Sequence, residues 1–291
     1  MTSFNKIILG TVQMGVSGYG INNLTAGLTE EESLEILSFA RESGILILDT
    51  AAAYGNAEEL IGTFNSANEK NGFRVITKIN PKSGISVQNA LSSSLEKLNQ
   101  GAIDTLLFHS FDDFLAKKNS ISDLLMELVN GRIRRIGVSV YTELEARELL
   151  KYDYIDTIQL PFNLLDNLSQ KGNLLKDIKS AGKSVHVRSV FLQGLFFKEL
   201  TLLPAFLEPI RFDLELLHSL SIQYQVTMNR MALRYVLDQP LIDGVLIGVD
   251  SLAQLKENLG QIRDPLPEAL MNRINEIKPS NELLLNPVNW K

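Results

Sequence analysis

Short apolar runs alternate along the chain with longer stretches in which apolar residues recur every three or four positions. The runs predict strands at Lys6–Thr11, Ile45–Leu48, Phe73–Lys78, Ile103–His109, Ile133–Ser139, Ile155–Leu160, Ser184–Ser189 and Gly244–Ile247. The run ILIL at 45–48 has no polar alternation. That suits a parallel strand covered on both faces better than one of an open antiparallel sheet. The periodic stretches predict helices over Thr29–Ser43, Glu58–Phe64, Val87–Leu98, Ser120–Asn130, Leu144–Leu150, Leu174–Ser180, Met228–Leu237 and Ser251–Asn258. Thr29 and Glu32 have the spacing of a capping box, Gly44 can end that helix, and Ser251 can cap the last one. Phe191–Gln225 reads as a loop and one helix.

Eight strands in repeated strand–helix order predict an α/β fold, a (β/α)8 TIM barrel, taken as a single domain over 1–291. The rival is an open doubly wound sheet. Its dinucleotide site would want G-x-G-x-x-G directly after the first strand. Here GTVQMGVSGYG follows, with different glycine spacing, and the next periodic helix starts only after Thr29. No Pro/Gly-rich linker divides the chain.

Composition narrows the function. Of 291 residues, 45% are hydrophobic, ample for a large core. The net charge of −6 disfavours nucleic acid or an anionic membrane as a partner. The absence of cysteine removes disulfides, thiol nucleophiles and thiolate metal sites. The three histidines, His109, His186 and His218, lack tight ligand spacing, so no metal is expected. No stretch approaches a membrane span, and the first residues lack the apolar core of a signal peptide, so a cytoplasmic location is expected. The sequence does not set an oligomeric state.

Polar residues stand where predicted strands end. They are Asp49, Lys78 and His109, with Tyr54 in the loop after Asp49. In a parallel barrel these strand ends converge on one mouth. A phenol such as Tyr54 can protonate a developing alkoxide, and a neighbouring ammonium favours a phenol's ionised form. Lys78 is the natural source of that charge, Asp49 can hold it, and His109 can donate a hydrogen bond to a substrate oxygen. None of the four carries a hydride, which implies a nicotinamide cofactor.

The segment DTAAAYGNAEELIG at 49–62 resembles the DTA-x-x-YG-x-[SA]-E-x-x-[LI]G segment of the aldo-keto reductase family. Thr77-Lys78 resembles its lysine segment, and DTLLFH at 104–109 its histidine segment. The resemblance implies a (β/α)8 barrel with a catalytic tetrad of Asp49, Tyr54, Lys78 and His109. It implies Tyr54 as the general acid in reduction and base in oxidation, and a cofactor lying extended across the barrel mouth.

The same resemblance implies cofactor contacts. Ser139 in GVSV and Gln159 in TIQLPFNLLD would meet the carboxamide, with Val140 where an asparagine is usual. In RSVFLQG, Arg188 stands where a tyrosine usually stacks on the nicotinamide, Phe191 is the nearest aromatic, and Gly194 ends the segment. Arg188 is expected to contact pyrophosphate or substrate, or to pair with a carboxylate. In IGVDSLAQLKEN, the implied phosphate and adenosine contacts are Gly248, Ser251, Gln254, Glu257 and Asn258. Members that prefer NADP(H) usually carry Lys or Arg near Gly248, Val249, Asp250 and Gln254. Here Lys256 is the nearby cation. Family frequency sets the expectation slightly toward NADP(H), while the charge of Asp250 keeps NAD(H) open.

Expected pocket walls are Met14, Tyr19, Phe111, Phe162 and Phe191, with Trp290 folding over the mouth or sealing a barrel face. The expected function is reduction of an aldehyde or ketone, or oxidation of a sugar hydroxyl. The rival is a non-catalytic subunit that senses nicotinamide cofactor, against which the complete tetrad argues.

Overall fold

A computed structural model describes residues 3–21, 27–68, 72–80, 85–118, 121–262 and 264–290. Eight parallel strands pair in chain order and close on themselves. They are β1 (Ile7–Gly10), β2 (Ile47–Asp49), β3 (Arg74–Ile79), β4 (Thr105–Phe108), β5 (Ile136–Ser139), β6 (Thr157–Pro161), β7 (Ser184–Arg188) and β8 (Gly244–Ile247). The seam runs through Ile8 opposite Leu246 and Leu9 opposite Ile247. Closure leaves no strand edge exposed.

Surrounding the barrel are α1 (Val12–Gly15), α2 (Glu30–Glu42), α3 (Ala57–Ala67), α4 (Val87–Leu98), α5 (Phe111–Lys117), α6 (Ile121–Val129), α7 (Glu143–Leu149), α8 (Leu168–Ser180), α9 (Arg211–Gln223), α10 (Met228–Leu237), α11 (Leu252–Gly260) and α12 (Glu268–Asn275). Thr29 and Glu32 form the expected capping box at α2. Ser251 caps α11 by accepting from the Gln254 amide at 3.2 Å. Among the described residues no helix is long and apolar enough to cross a membrane.

Several boundaries move for local reasons. Gly44 adopts a left-handed turn (φ 88°), and the Ile45 amide bonds back to Ala40, so β2 starts at Ile47 rather than Ile45. Ile103 and Ile133 meet only in an isolated bridge, which shortens β4 and β5 at their starts. The Asn167 side chain caps Ser169, so α8 begins at Leu168, six residues before the expected start. Ser120, the expected start of the fourth helix, lies outside the described residues. Between Leu192 and Ile210 the chain forms three short 3-10 segments before α9.

The outer core fills the space between strands and helices. A second cluster, Ile8, Ile76, Leu107 and Leu246 with Ile47, is the floor of the barrel's inside. A side chain on Gly244 would strike Ile8 and His186, and one on Gly137 would strike Leu107 and Thr157, so these strands share that interior. Strand side chains alternate faces. Two residues beyond this layer, the same face therefore carries Asp49, Lys78, His109, Ser139, Gln159 and Arg188. Apolar packing below fixes a polar ring above.

Candidate active site

The polar ring opens into a cavity of about 790 Å³, within the range of small-molecule sites. Asp49, Tyr54, Lys78 and His109 all line it. Asp49 and Lys78 are each only 3% exposed and form an ion pair. Lys78 Nζ also donates to the Thr50 carbonyl at 3.0 Å, and Gln159 Nε2 donates to the second Asp49 oxygen at 2.9 Å. Burial alone would pull the Lys78 ammonium down. Asp49, followed by Tyr54, outweighs it and holds Lys78 above its usual value.

Tyr54 stands beside this pair. Lys78 Nζ is 5.3 Å from the centre of its ring. His109 meets the same ring edge to face, at 5.8 Å between centroids and 85° between planes. Burial first, then the Lys78 charge, pushes His109 down to about 4, so its imidazole is neutral at neutral pH.

The backbone holding Tyr54 is tightly boxed. A side chain on Gly15 would sit 1.8 Å from the Tyr54 carbonyl, and one on Gly55 (φ 54°) would sit 2.2 Å from the Gly15 carbonyl. Further along the same segment, Glu58 is buried and accepts from Thr77, the neighbour of Lys78, at 2.6 Å. A side chain on Gly62 would strike the Lys97 carbonyl of α4. Asp104 in DTLLFH pairs with Arg135 at 3.0 Å and Arg74 at 3.7 Å, away from the cavity. The motif thus mixes cavity groups with residues that fasten helix and strand.

Ser139, Gln159, Arg188, Phe191, Gly194, Gly248, Gln254, Glu257 and Asn258 also line the cavity. Ser251 does not, its hydroxyl being turned to the start of α11. The Arg188 guanidinium stacks on Tyr141 at 4.1 Å and donates to the Val140 carbonyl at 3.0 Å. Its weaker contacts run to Ser139 Oγ at 3.4 Å and Ser189 Oγ at 3.5 Å.

Three of the expected walls lie elsewhere. Met14 is buried in the outer core. Phe111 packs on Phe114 at 6.1 Å, and Phe162 stacks on Tyr235 at 5.7 Å. Tyr19 and Phe191 do line the cavity. Trp290 donates to the Leu284 carbonyl at 2.8 Å and packs on the core, while nearby Pro287 and Val288 reach the mouth. Gln13, Tyr141, Gln193 and Asn229 line the cavity without having been singled out from the sequence. Tyr141 had a signal, since it follows Ser139 by two residues and two residues restore the same strand face. The others come from loops and helices, whose direction strand parity does not give.

Three buried amide oxygens on this surface, Gln13 Oε1, Gln159 Oε1 and Asn229 Oδ1, have no partner within the protein. Buried acceptors of this kind ordinarily have partners. A nicotinamide dinucleotide fits the set, since its carboxamide, hydroxyls and adenine amine all donate. The Gln159 amide nitrogen is committed to Asp49, which leaves its oxygen for such a donor.

The aldo/keto reductase family model matches residues 6–279. The chain belongs to the aldo/keto reductase family. Membership brings general NAD(P)(H)-dependent oxidoreductase activity on carbonyl or sugar substrates. Among curated relatives, an Escherichia coli NADH-specific methylglyoxal reductase is 26% identical, with 95% of this chain and 99% of that protein covered. The holo form of an aldo-keto reductase from Bacillus halodurans superposes with a TM-score of 0.77 at 23% identity, covering 97% of this chain and 95% of that one. An aldo/keto reductase from Klebsiella pneumoniae, solved with NADP and acetate, gives 0.70 at 16% identity, covering 95% and 92%.

Proposed function

We propose that the protein reduces a small aldehyde or ketone, or oxidises the corresponding hydroxyl, with Tyr54 as the proton donor and acceptor. The observation that carries the reading is the buried Asp49–Lys78 pair set against the Tyr54 ring, with a neutral His109 on the ring's other contact. The relative named for methylglyoxal supports a small carbonyl substrate.

The nicotinamide cofactor supplies or accepts the hydride. Ser139 and Gln159 would hold its carboxamide, and Gln13, Asn229, Glu257 and Asn258 would meet its far end. The chain's own residues do the proton work. Tyr54 gives its phenolic proton to the carbonyl oxygen as negative charge develops there. The fixed Lys78 charge stabilises the phenolate that remains, in a site where water does not screen it. Asp49 keeps the ammonium in place, and Gln159 keeps Asp49 in place. Neutral His109 donates an N–H to the same oxygen and orients the carbonyl. In oxidation the Tyr54 phenolate takes the proton back from the hydroxyl.

Tyr54→Phe tests the assignment. Turnover with a panel of small aldehydes, ketones and sugars is expected to fall roughly 10²–10⁴-fold. Cofactor affinity, read by fluorescence titration, is expected to stay the same. Undiminished turnover would remove Tyr54 from its role.

A further inference from the structure

The cavity's charges are unevenly placed. Its cationic side chains, among the described residues, are Lys78 and Arg188, and both stand in the polar ring at strand ends. Lys78 is committed to Asp49, and Arg188 to the Val140 carbonyl and the Tyr141 ring. The opposite end, formed by the start of α10 and the segment from β8 into α11, carries Asp250 and Glu257 with Asn229, Gln254 and Asn258. Among the described residues it presents carboxylates and amides and no cation.

Several of the donors that an anion could use there are also taken. The Asp250 amide donates to Gln254 Oε1 at 2.8 Å, and the Gln254 amide donates to Ser251 Oγ at 3.2 Å. Gln254 Nε2 reaches back to Asp250 Oδ2 at 3.4 Å. At the start of α11, where amides could receive a phosphate, those of Asp250 and Gln254 are therefore occupied by side chains of the same turn. Lys256 points elsewhere, with its ammonium 5.3 Å from the Phe39 ring centre, and does not line the cavity. Asn229 Nδ2 donates to Asn258 Oδ1 at 2.9 Å and to Glu257 Oε1 at 3.4 Å, which leaves Asn229 Oδ1 as a buried acceptor. Acceptors and carboxylates fit ribose hydroxyls and an exocyclic amine. They repel a phosphate dianion.

A dinucleotide whose reactive ring meets Tyr54 would extend its adenosine toward this acidic end of the cavity. Resting on the reading under Proposed function, we propose that the protein discriminates against the 2′-phosphorylated cofactor, with Asp250 as the discriminating residue, so that NAD(H) is its cofactor. The weight of charge here runs against the family frequency that favoured NADP(H).

The test is a pair of fluorescence titrations with NADH and NADPH, without substrate, at low and high salt. NADH is expected to bind roughly tenfold tighter or more at low salt. The ratio is expected to shrink at high salt, because screening relieves the repulsion. Asp250→Ser is expected to narrow the ratio by raising NADPH affinity, and Asp250→Arg to reverse it. If the serine variant fails to fold, the wild-type ratio and its salt dependence decide alone. NADPH binding as tightly as NADH, a salt-independent ratio, or a ratio unchanged in Asp250→Ser each overturns the proposal and leaves a nicotinamide-dependent enzyme standing. Failure of both cofactors to bind overturns that reading as well.

Discussion

The two ends of the cavity are built on opposite plans. Around Asp49, Lys78, Tyr54 and His109 the backbone is regular strand and tightly boxed loop, and the charged groups satisfy each other before any ligand arrives. After β7 the backbone is irregular. Ser189, Leu192, Gln193 and Gly194 have φ of 61°, 46°, 53° and 87°, in the left-handed region that costs non-glycine residues energy. The α10–α11 side adds a buried amide oxygen without a partner, Asn229 Oδ1. The charges of the reacting groups are paired in advance, whereas His109 Nδ1 and Gln159 Oε1 beside them, like Asn229 Oδ1, have no partner within the protein. Electrostatic stabilisation works best when the charges need not move, which explains why the charge-paired half belongs to the chemistry.

Cutting the charge-paired half should do the most damage. Lys78→Met leaves the buried Asp49 carboxylate with the Gln159 N–H but no cation. Stability is expected to drop by about 3–5 kcal/mol, the range for breaking a buried pair. Arg188→Met, in the same polar ring but where the irregular segment after β7 begins, removes a stacked, half-buried guanidinium and should cost less, about 1–2 kcal/mol. Adding Asp49→Asn to Lys78→Met should restore part of the loss. Urea denaturation of the three variants measures this. Equal losses for Lys78→Met and Arg188→Met would break the contrast.

Legibility from sequence follows the same division. The tetrad could be read because three members sit at ends of apolar runs, where strand parity alone fixes their direction. The helices Val87–Leu98 and Met228–Leu237 and the strand Gly244–Ile247 lie where their periodicity places them. Phe162 shows a signal passed over. It lies three residues beyond the inward Gln159, so parity turns it outward, onto Tyr235. Gln13, Gln193 and Asn229 lie outside the strands, and only tertiary packing brings them to the cavity. The occupation of the Asp250 amide by the Gln254 side chain was likewise invisible, because it depends on a side-chain rotamer rather than on spacing.

Acid sharpens the comparison with a smaller effect. His109 stands at the reacting end, and His186 lies one pleat below Arg188 on β7. Burial drives both down to about 4. In the unfolded chain each takes up a proton near pH 6.5. Between about pH 6.5 and pH 4 the unfolded state therefore binds more protons, so stability is full above that window and falls as pH drops through it. Each histidine contributes a slope of about 1.4 kcal/mol per pH unit. His109→Asn and His186→Asn should each remove one such share from the pH dependence of the urea midpoint. A slope lost with His186 but not with His109 would mean that water reaches the tetrad.

The smallest expected effect bears on the strained turn. Gln193 holds φ 53°, its carbonyl accepts from the Ile21 amide at 3.1 Å, and its side chain bonds Tyr19 at the cavity rim. Gln193→Gly relieves a left-handed conformation worth about 1–2 kcal/mol and gives back about 0.4–1 kcal/mol through a looser unfolded chain. Loss of the Tyr19 hydrogen bond removes about another 1 kcal/mol. The net change in stability should lie within about 1 kcal/mol of zero. Asn99 supplies the control, since it adopts φ 47° at the end of α4, far from the cavity, as an ordinary helix stop. Asn99→Gly relieves the left-handed backbone but loses the 2.5 Å hydrogen bond from Asn99 Nδ2 to Ser66 Oγ, so its stability should change by less than about 1 kcal/mol and its cofactor affinity should stay the same, whereas Gln193→Gly should weaken that affinity by freeing Tyr19 and the loop before it. If both variants gain stability and neither changes binding, the irregular turn after β7 is an ordinary loop, and the division between a charge-paired half and an irregular one loses its structural basis.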